Sequence, residues 1–442
     1  MTKTNNASSL RRDIGFYGAA FLVLNGLIGA GIFALPGRIA ENAGLLSPWL
    51  FLIVGALFLA VVLTFAELAS YYDKTGGPVL YAQDAFGEFA GFSTGWAIYL
   101  SRVTAFAANA KVLSEYAADL HPILSPPPAQ LTVFAVVTIG LTWANYAGVK
   151  DGVRTMAVLT FLKLTPLALL VLLGLQEVSG ATFIPPAPFS VTELGVTTLA
   201  LVYAYVGFET VGVTAGETDQ PRRKIPRALV GTLIATGILY FLIVQVFVAV
   251  IPPEAYATSR LTDVGRALAG PIGGTVIALA AVFSIGGNLS GSMLSAPRLV
   301  YAMAEQKTLP AFFARIHPSH ATPYTCILFT GGLALLLGFS GDFLGLAVAS
   351  TVVRLLGYVI CILSLPRIRS QASEADRAEA YRLPGGYLIP LIALVICVWL
   401  MAQSRAESWQ MVGMLLAVGG VLYSIEKFVL KTGNTSEEAS RE

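Results

Sequence analysis

Apolar runs of about 20 residues recur along the whole chain, divided by short polar loops. Each is long enough to cross a bilayer as a helix. Twelve such spans can be drawn, at about 14–38, 43–70, 89–117, 130–147, 154–175, 194–216, 227–251, 272–303, 323–340, 343–366, 384–403 and 408–428. The pattern predicts an all-α polytopic membrane protein.

Two spans are interrupted. The first contains FLVLNGLIGAGIFALPG (21–37), with Gly26, Gly29, Gly31 and Gly37, a stretch that closes at Pro36. Glycines at mid-span let the backbone leave helical angles. The N–H and C=O groups so freed must face protein, ligand or water. The sixth, LALVYAYVGFETVGVTAG (199–216), holds Gly207 and Gly212. Interrupted spans in matching positions of two halves point to a transporter site, with a half-helix N-terminus facing an anion. Close packing of small residues between helices is the alternative.

The loops orient the chain. Of its 28 Lys and Arg, 20 fall on one side, including Arg11, Arg12, Lys74, Arg222, Arg223, Lys224, Arg227, Arg315, Arg369, Arg377, Arg382 and Lys431. The other side carries Arg38, Arg260, Arg266 and Arg405. The positive-inside rule then places both termini in the cytoplasm of a plasma membrane, the inner membrane in a bacterium. The polar ends, 1–13 and 429–442, read as cytoplasmic tails, the first of them mobile. Residues 73–88 and 303–320 read as interfacial segments. The proline-rich 121–129 reads as a stiff connector.

Composition narrows the chemistry. Charged residues make up 12% of the chain, about half the usual share, which leaves no room for a sizeable soluble domain. A net charge of +2 suggests no nucleic-acid partner. Cys326, Cys361 and Cys397 lie in apolar runs, and the three histidines are scattered, so neither disulfides nor a metal site is expected. No phosphate-loop or HExxH motif occurs, which leaves ATP-driven pumping and metalloenzyme chemistry unsupported. The expected partners are a small molecule and the lipid bilayer, with the chain a monomer or weak homodimer and without a cofactor.

Charges inside spans are costly and functional by default. Lys163, in VLTFLKLTPLALL, lies nine residues from Arg154, roughly 14 Å along a helix and far for a lysine to snorkel. It is a candidate to gain and lose a proton; a fixed ammonium held by carbonyls is the alternative. Arg102 stays charged in proteins and is a gating or structural cation. Glu209, just past the sixth-span interruption, either closes a gate by pairing or satisfies broken backbone. Glu67 and Arg354 are weaker cases. Tyr203 and Tyr205 precede the same interruption, where an aromatic either covers a ligand or packs.

NGLIGAGIFALPG, GGPVLYAQDAFG, VYAYVGFETVGVTAGE with PRRKIPRA, and SAPRLVYAMAEQKTLPAFFARIHP occur in order over both halves. Together they resemble the signatures of the amino acid–polyamine–organocation permeases. That resemblance implies a leucine-transporter-like fold: two inverted five-helix repeats at 14–175 and 194–366, then two further helices at 384–428. It also implies site roles. The substrate carboxylate would meet backbone N–H groups at Gly29, Ala30 and Gly31, and its ammonium would meet carbonyls near Asn25, Gly26 and Tyr205. Tyr203 would occlude the site. Lys163 would stand in for a sodium ion near the first interruption, with Ser290 and Ser292 near the hydroxyls that sodium-coupled relatives use. GAG here departs from the GSG common in exchangers.

The function expected is secondary transport of amino acids, small or neutral, by proton-coupled symport, with sodium ranked below the proton. An exchanger of the same fold is the main alternative. A receptor would need a signalling domain and a channel a continuous polar pore.

Overall fold

The computed structural model describes residues 12, 14–148, 153–183 and 194–439; the expected mobile tail at the N-terminus lies almost wholly outside them. Seventeen α-helices are described: α1 Phe16–Leu27, α2 Gly31–Ala43, α3 Ser47–Ser70, α4 Pro78–Phe86, α5 Glu88–Ala118, α6 Pro127–Tyr146, α7 Val153–Gly174, α8 Gly180–Phe183, α9 Leu194–Val202, α10 Thr210–Val213, α11 Pro221–Val250, α12 Leu261–Glu305, α13 Tyr324–Ser340, α14 Phe343–Gln371, α15 Glu374–Glu379, α16 Leu388–Ala402 and α17 Ala406–Ala439. The first span is α1 plus α2 and the sixth is α9 plus α10. The other ten expected spans each coincide with one helix.

Among the described residues, seven stretches are long and apolar enough to cross a membrane by themselves. Two kinds of exception have physical causes. α1, α9 and α10 are halves too short to qualify, α2 runs on with α3 as one stretch, Gly31–Ser70, and α13 and α16 are apolar but short. α5 is long, but buries Arg102, Asn109, Thr94, Thr104 and several small residues at the centre of the molecule. Its surroundings are protein, so hydrocarbon does not select its composition. α6 and α17 show the converse, with Trp143, Val136, Met414 and Phe428 exposed as lipid-facing surface.

Some boundaries differ from the sequence expectation. α2 continues past Pro36 to Ala43, because neighbouring groups can satisfy a carbonyl freed by proline within a membrane bundle. The eighth span is preceded by helix from Leu261, bent where Ala269 and Gly270 leave helical angles, Gly270 at φ +64°. The segment between the tenth and eleventh spans contains α15, begun by Ser373, whose side chain accepts from Asp376 N–H.

The packing pairs elements five spans apart. α3 lies along α11, α5 along α12, α1 against α10 and α2 against α9. The two interrupted spans therefore cross, first half to second half. Their closest approach is Gly26 against Gly207: a Cβ on Gly26 would stand 2.5 Å from the Gly207 carbonyl oxygen. Gly207 also holds φ +106°, a conformation that side chains rarely adopt. Only glycine fits at this contact.

Candidate functional site

The first interruption is short. Ile28 leaves the helix at ψ 81° and α2 begins again at Gly31. Three carbonyls around it find donors from other elements. Asn288 Nδ2 donates to Asn25 O (2.8 Å), Tyr240 OH to Leu27 O (3.0 Å), and Lys163 Nζ to Ile28 O (3.1 Å). Lys163 also donates to Asn25 Oδ1 at 2.8 Å, and its side chain is fully buried. Ser284 Oγ shares the Ile28 carbonyl at 3.4 Å. A helix start leaves its first N–H groups without an intrahelical partner; here Phe33 N–H already bonds Ala30 O at 3.0 Å. Of the three expected anion donors, Gly29 N–H is given to Leu27 O at 3.1 Å. Ala30 and Gly31 open the new helix.

The second interruption is built differently. After three tight turns through Tyr203, Ala204 and Tyr205 the chain passes Gly207. Glu209 then folds back, and its Oε2 accepts from Gly207 N–H (3.1 Å) and from Tyr358 OH (2.5 Å). Arg354 Nη1 stands 3.5 Å from Glu209 Oε1, with both side chains buried. Arg354 Nε donates to Ser101 Oγ at 2.9 Å. Next to this pair, Arg102 donates to Ser295 Oγ (2.6 Å) and Thr210 Oγ1 (3.1 Å). Glu209 thus satisfies broken backbone, one of the two roles expected for it, and also forms a buried ion pair.

Between the interruptions lies a cavity of about 220 Å³. Pockets for drug-sized ligands run to ~300–1,000 Å³, so this one suits something smaller. It is lined by Asn25, Gly26, Gly29, Ala30, Gly31, Arg102, Tyr203 and Glu209, all expected from sequence, and by Asn109, Asn288, Ser292, Ser295 and Arg354. Tyr203 OH donates to Asn109 Oδ1 (2.6 Å), and Asn109 Nδ2 to Asn288 Oδ1 (2.8 Å), forming a polar chain across one wall. Tyr205 is not in the lining. Its side chain turns to α3, where its hydroxyl donates to Phe51 O at 2.7 Å and its ring lies over Gly55. Lys163 sits behind the lining, where it touches the backbone of the interruption. The span-eight hydroxyl that reaches this carbonyl is Ser284; Ser292 instead lines the cavity.

The cavity extends from the interruptions past Leu22, Thr214 and Leu294, toward the side where α1 begins. On the other side, contacts between elements stack over the cavity. Tyr203 meets the Phe343 ring edge-on at 5.9 Å, and the Arg38 guanidinium lies 5.1 Å from the same ring. Beyond these, Tyr116 OH donates to Phe33 O (2.7 Å) and Arg260 pairs with Asp119 (3.0 Å). On the α1 side, Ile14 bridges to the segment after α10 through Ile14 N–H to Glu217 O (3.0 Å) and Asp219 N–H to Ile14 O (2.9 Å). Glu67 is buried there and clamped by Arg369 through two bonds of 2.7 Å. Arg222 pairs with Asp376 at 2.7 Å. A hydrogen bond from Ser373, with Arg222 beside it, holds the Asp376 carboxyl below the usual carboxylate range.

Comparison with known proteins agrees with this geometry. The profile of the amino acid permease family matches residues 14–423. The serine/threonine exchanger SteT of Bacillus subtilis is 28% identical, over 93% of this chain and 95% of that one. Large neutral amino acids transporter small subunit 2 of Homo sapiens is also 28% identical, over 93% of this chain and 79% of its own. Among solved structures, MhsT in complex with L-phenylalanine superposes with a TM-score of 0.61 at 16% identity, covering 87% of this chain and 97% of that one. The fold is therefore leucine-transporter-like, with five helices, five helices and two more.

This match corrects one expectation. Sodium was ranked below the proton as coupling ion. The fold shared with MhsT is one that sodium-coupled relatives use, so sodium is a plausible coupling ion and that order falls. The protein is a multi-pass membrane protein and not an enzyme, and it moves amino acids by secondary transport with alternating access. The chain belongs to the amino acid permease family, within the amino acid–polyamine–organocation superfamily.

Proposed function

We propose that this protein is a symporter of small amino acids without cationic side chains, and that its coupling cation acts at Lys163. The observation that supports this most is the fully buried Nζ on Ile28 O and Asn25 Oδ1, directly behind the cavity wall. An ammonium there occupies the carbonyls of the interruption, and the interruption must rearrange when the charge leaves or is replaced. A proton lost from Nζ would do this, and so would sodium competing for Ile28 O beside Ser284. In either case the cation shifts the conformational equilibrium only by its differential affinity for the two states.

The substrate carboxylate takes the N–H groups at the start of α2, as suits an anion at a helix N-terminus. The ammonium takes carbonyl and amide oxygens around Asn25 and Gly26. Tyr203 covers the bound molecule. The two five-helix repeats are 14–175 and 194–366; the packing of elements five spans apart supports that division. Both termini are cytoplasmic in the plasma membrane, so the cavity described is open to the inside.

The likeness to SteT favours a second reading, exchange of one amino acid for another. Proteoliposomes separate the two. Symport predicts accumulation into empty vesicles under an imposed cation gradient. Uptake that occurs only into vesicles preloaded with amino acid establishes exchange and overturns symport. For orientation, Arg223→Cys and Thr435→Cys should label from the cytoplasm and Ser125→Cys from outside. Labelling of position 223 from outside would reverse the topology.

A further inference from the structure

The cavity has two unlike ends. At one are the interruption of the first span and its asparagines, which suit the α-amino and α-carboxyl groups of any amino acid. At the other are Arg102, Arg354, Glu209, Thr210 and Ser295. The charges there do not cancel. Glu209 is taken up by Arg354, Tyr358 and Gly207 N–H. Arg102 is buried at 6% exposure, and no carboxylate among the described residues lies within salt-bridge distance of it. Its two hydrogen-bond partners are neutral hydroxyls, Ser295 and Thr210. A guanidinium carries five N–H donors; two are given to these hydroxyls, which leaves three uncommitted on a side chain that lines the cavity. Glu209 acts on Arg102 only through space, and a buried guanidinium short of acceptors is costly; an acceptor oxygen offered by a ligand relieves that cost.

We infer that Arg102 reads the substrate side chain, and that the substrate is a small amino acid whose side chain ends in an acceptor oxygen: hydroxyl, amide or carboxylate. This rests on the cavity being the amino acid site. It adds a selectivity rule that the shared part of the site cannot supply. Apolar side chains leave the Arg102 donors unmet, and cationic side chains meet like charge. One hydrogen bond to a charged group corresponds to a discrimination of about 10-fold or more.

Isosteric pairs test the rule. Binding of threonine, valine, asparagine, leucine, aspartate and lysine to the purified full-length protein in lipid nanodiscs would be measured by titration calorimetry. The same series would be run on Arg102→Lys and Arg102→Met. The inference predicts threonine over valine and asparagine over leucine by about 10-fold or more, with lysine weakest. Comparison of aspartate with asparagine and threonine identifies which acceptor is preferred. Arg102→Met should bring each pair to parity, and Arg102→Lys should keep part of the preference. If the Met variant does not fold, the wild-type ratios and the Lys variant decide. Valine and leucine binding as well as their polar isosteres, or a preference that survives in Arg102→Met, overturns the role of Arg102 while leaving the site in place. Failure of every amino acid to bind overturns the site itself, and the inference with it.

Discussion

The two interrupted spans meet at one glycine contact, yet they are stabilised in opposite ways. Around the first, the carbonyls are held by donors from α7, α11 and α12, and most of those donors are neutral. This arrangement uses the carbonyls of the interruption and leaves the first N–H groups of α2, at Gly31 and Ile32, to the proposed substrate carboxylate. Around the second, a buried carboxylate is fixed by a backbone N–H, a tyrosine and an arginine. That arrangement is held in place by charge. The interruption proposed to bind substrate sits against one fixed by an ion pair, and Lys163 is bonded to the first of them.

Substitutions can break this contrast, and the largest effect is expected at the rigid side. Glu209→Gln leaves Arg354 buried without its counter-charge, a change of the kind that costs ~3–5 kcal/mol. Folded yield and thermal stability in detergent should fall sharply, and adding Arg354→Met should recover part of the loss. Gly31→Val acts on the binding side. Its Cβ would stand 3.0 Å from Ala204 Cα, and the branched side chain crowds further. The overpacking, ~1–3 kcal/mol, should weaken amino acid binding by ~10–100-fold while folded protein persists in the membrane. Unchanged affinity would remove the first interruption from the site. Tyr203→Phe should have the smallest effect. It deletes the hydrogen bond to Asn109 but keeps the ring over the cavity, so affinity should fall by no more than ~10-fold.

Much of the fold was legible because hydrocarbon constrains sequence so strongly. Most spans follow from apolar run length, α5 less clearly because protein surrounds it, and both interruptions fall where glycines stand in mid-span. Lys163 stood out because a charge at depth costs ~2.5–3.5 kcal/mol by insertion scales. Neutral polar residues give no such signal, and Asn109, Asn288 and Ser284 were passed over. A helical stripe could have revealed part of this wall. Asn288, Ser292 and Ser295 recur at i, i+4 and i+7, and Arg102 and Asn109 lie two turns apart on one face. The partners of Glu67 and Glu209 were not legible, because Arg369 and Arg354 are brought to them from distant spans by packing alone. The direction of Tyr205 depends on Gly55 in α3, which makes room for its ring.

The central claim is that the coupling cation acts at Lys163. The most direct measurement is amino acid uptake into empty proteoliposomes under separately imposed pH and sodium gradients, for the wild type and Lys163→Ala, with binding measured alongside. The account predicts that the wild type concentrates substrate under at least one gradient. Lys163→Ala should still bind substrate but lose that accumulation, since Nζ touches the interruption and not the cavity. Undiminished gradient-driven accumulation by Lys163→Ala would contradict it.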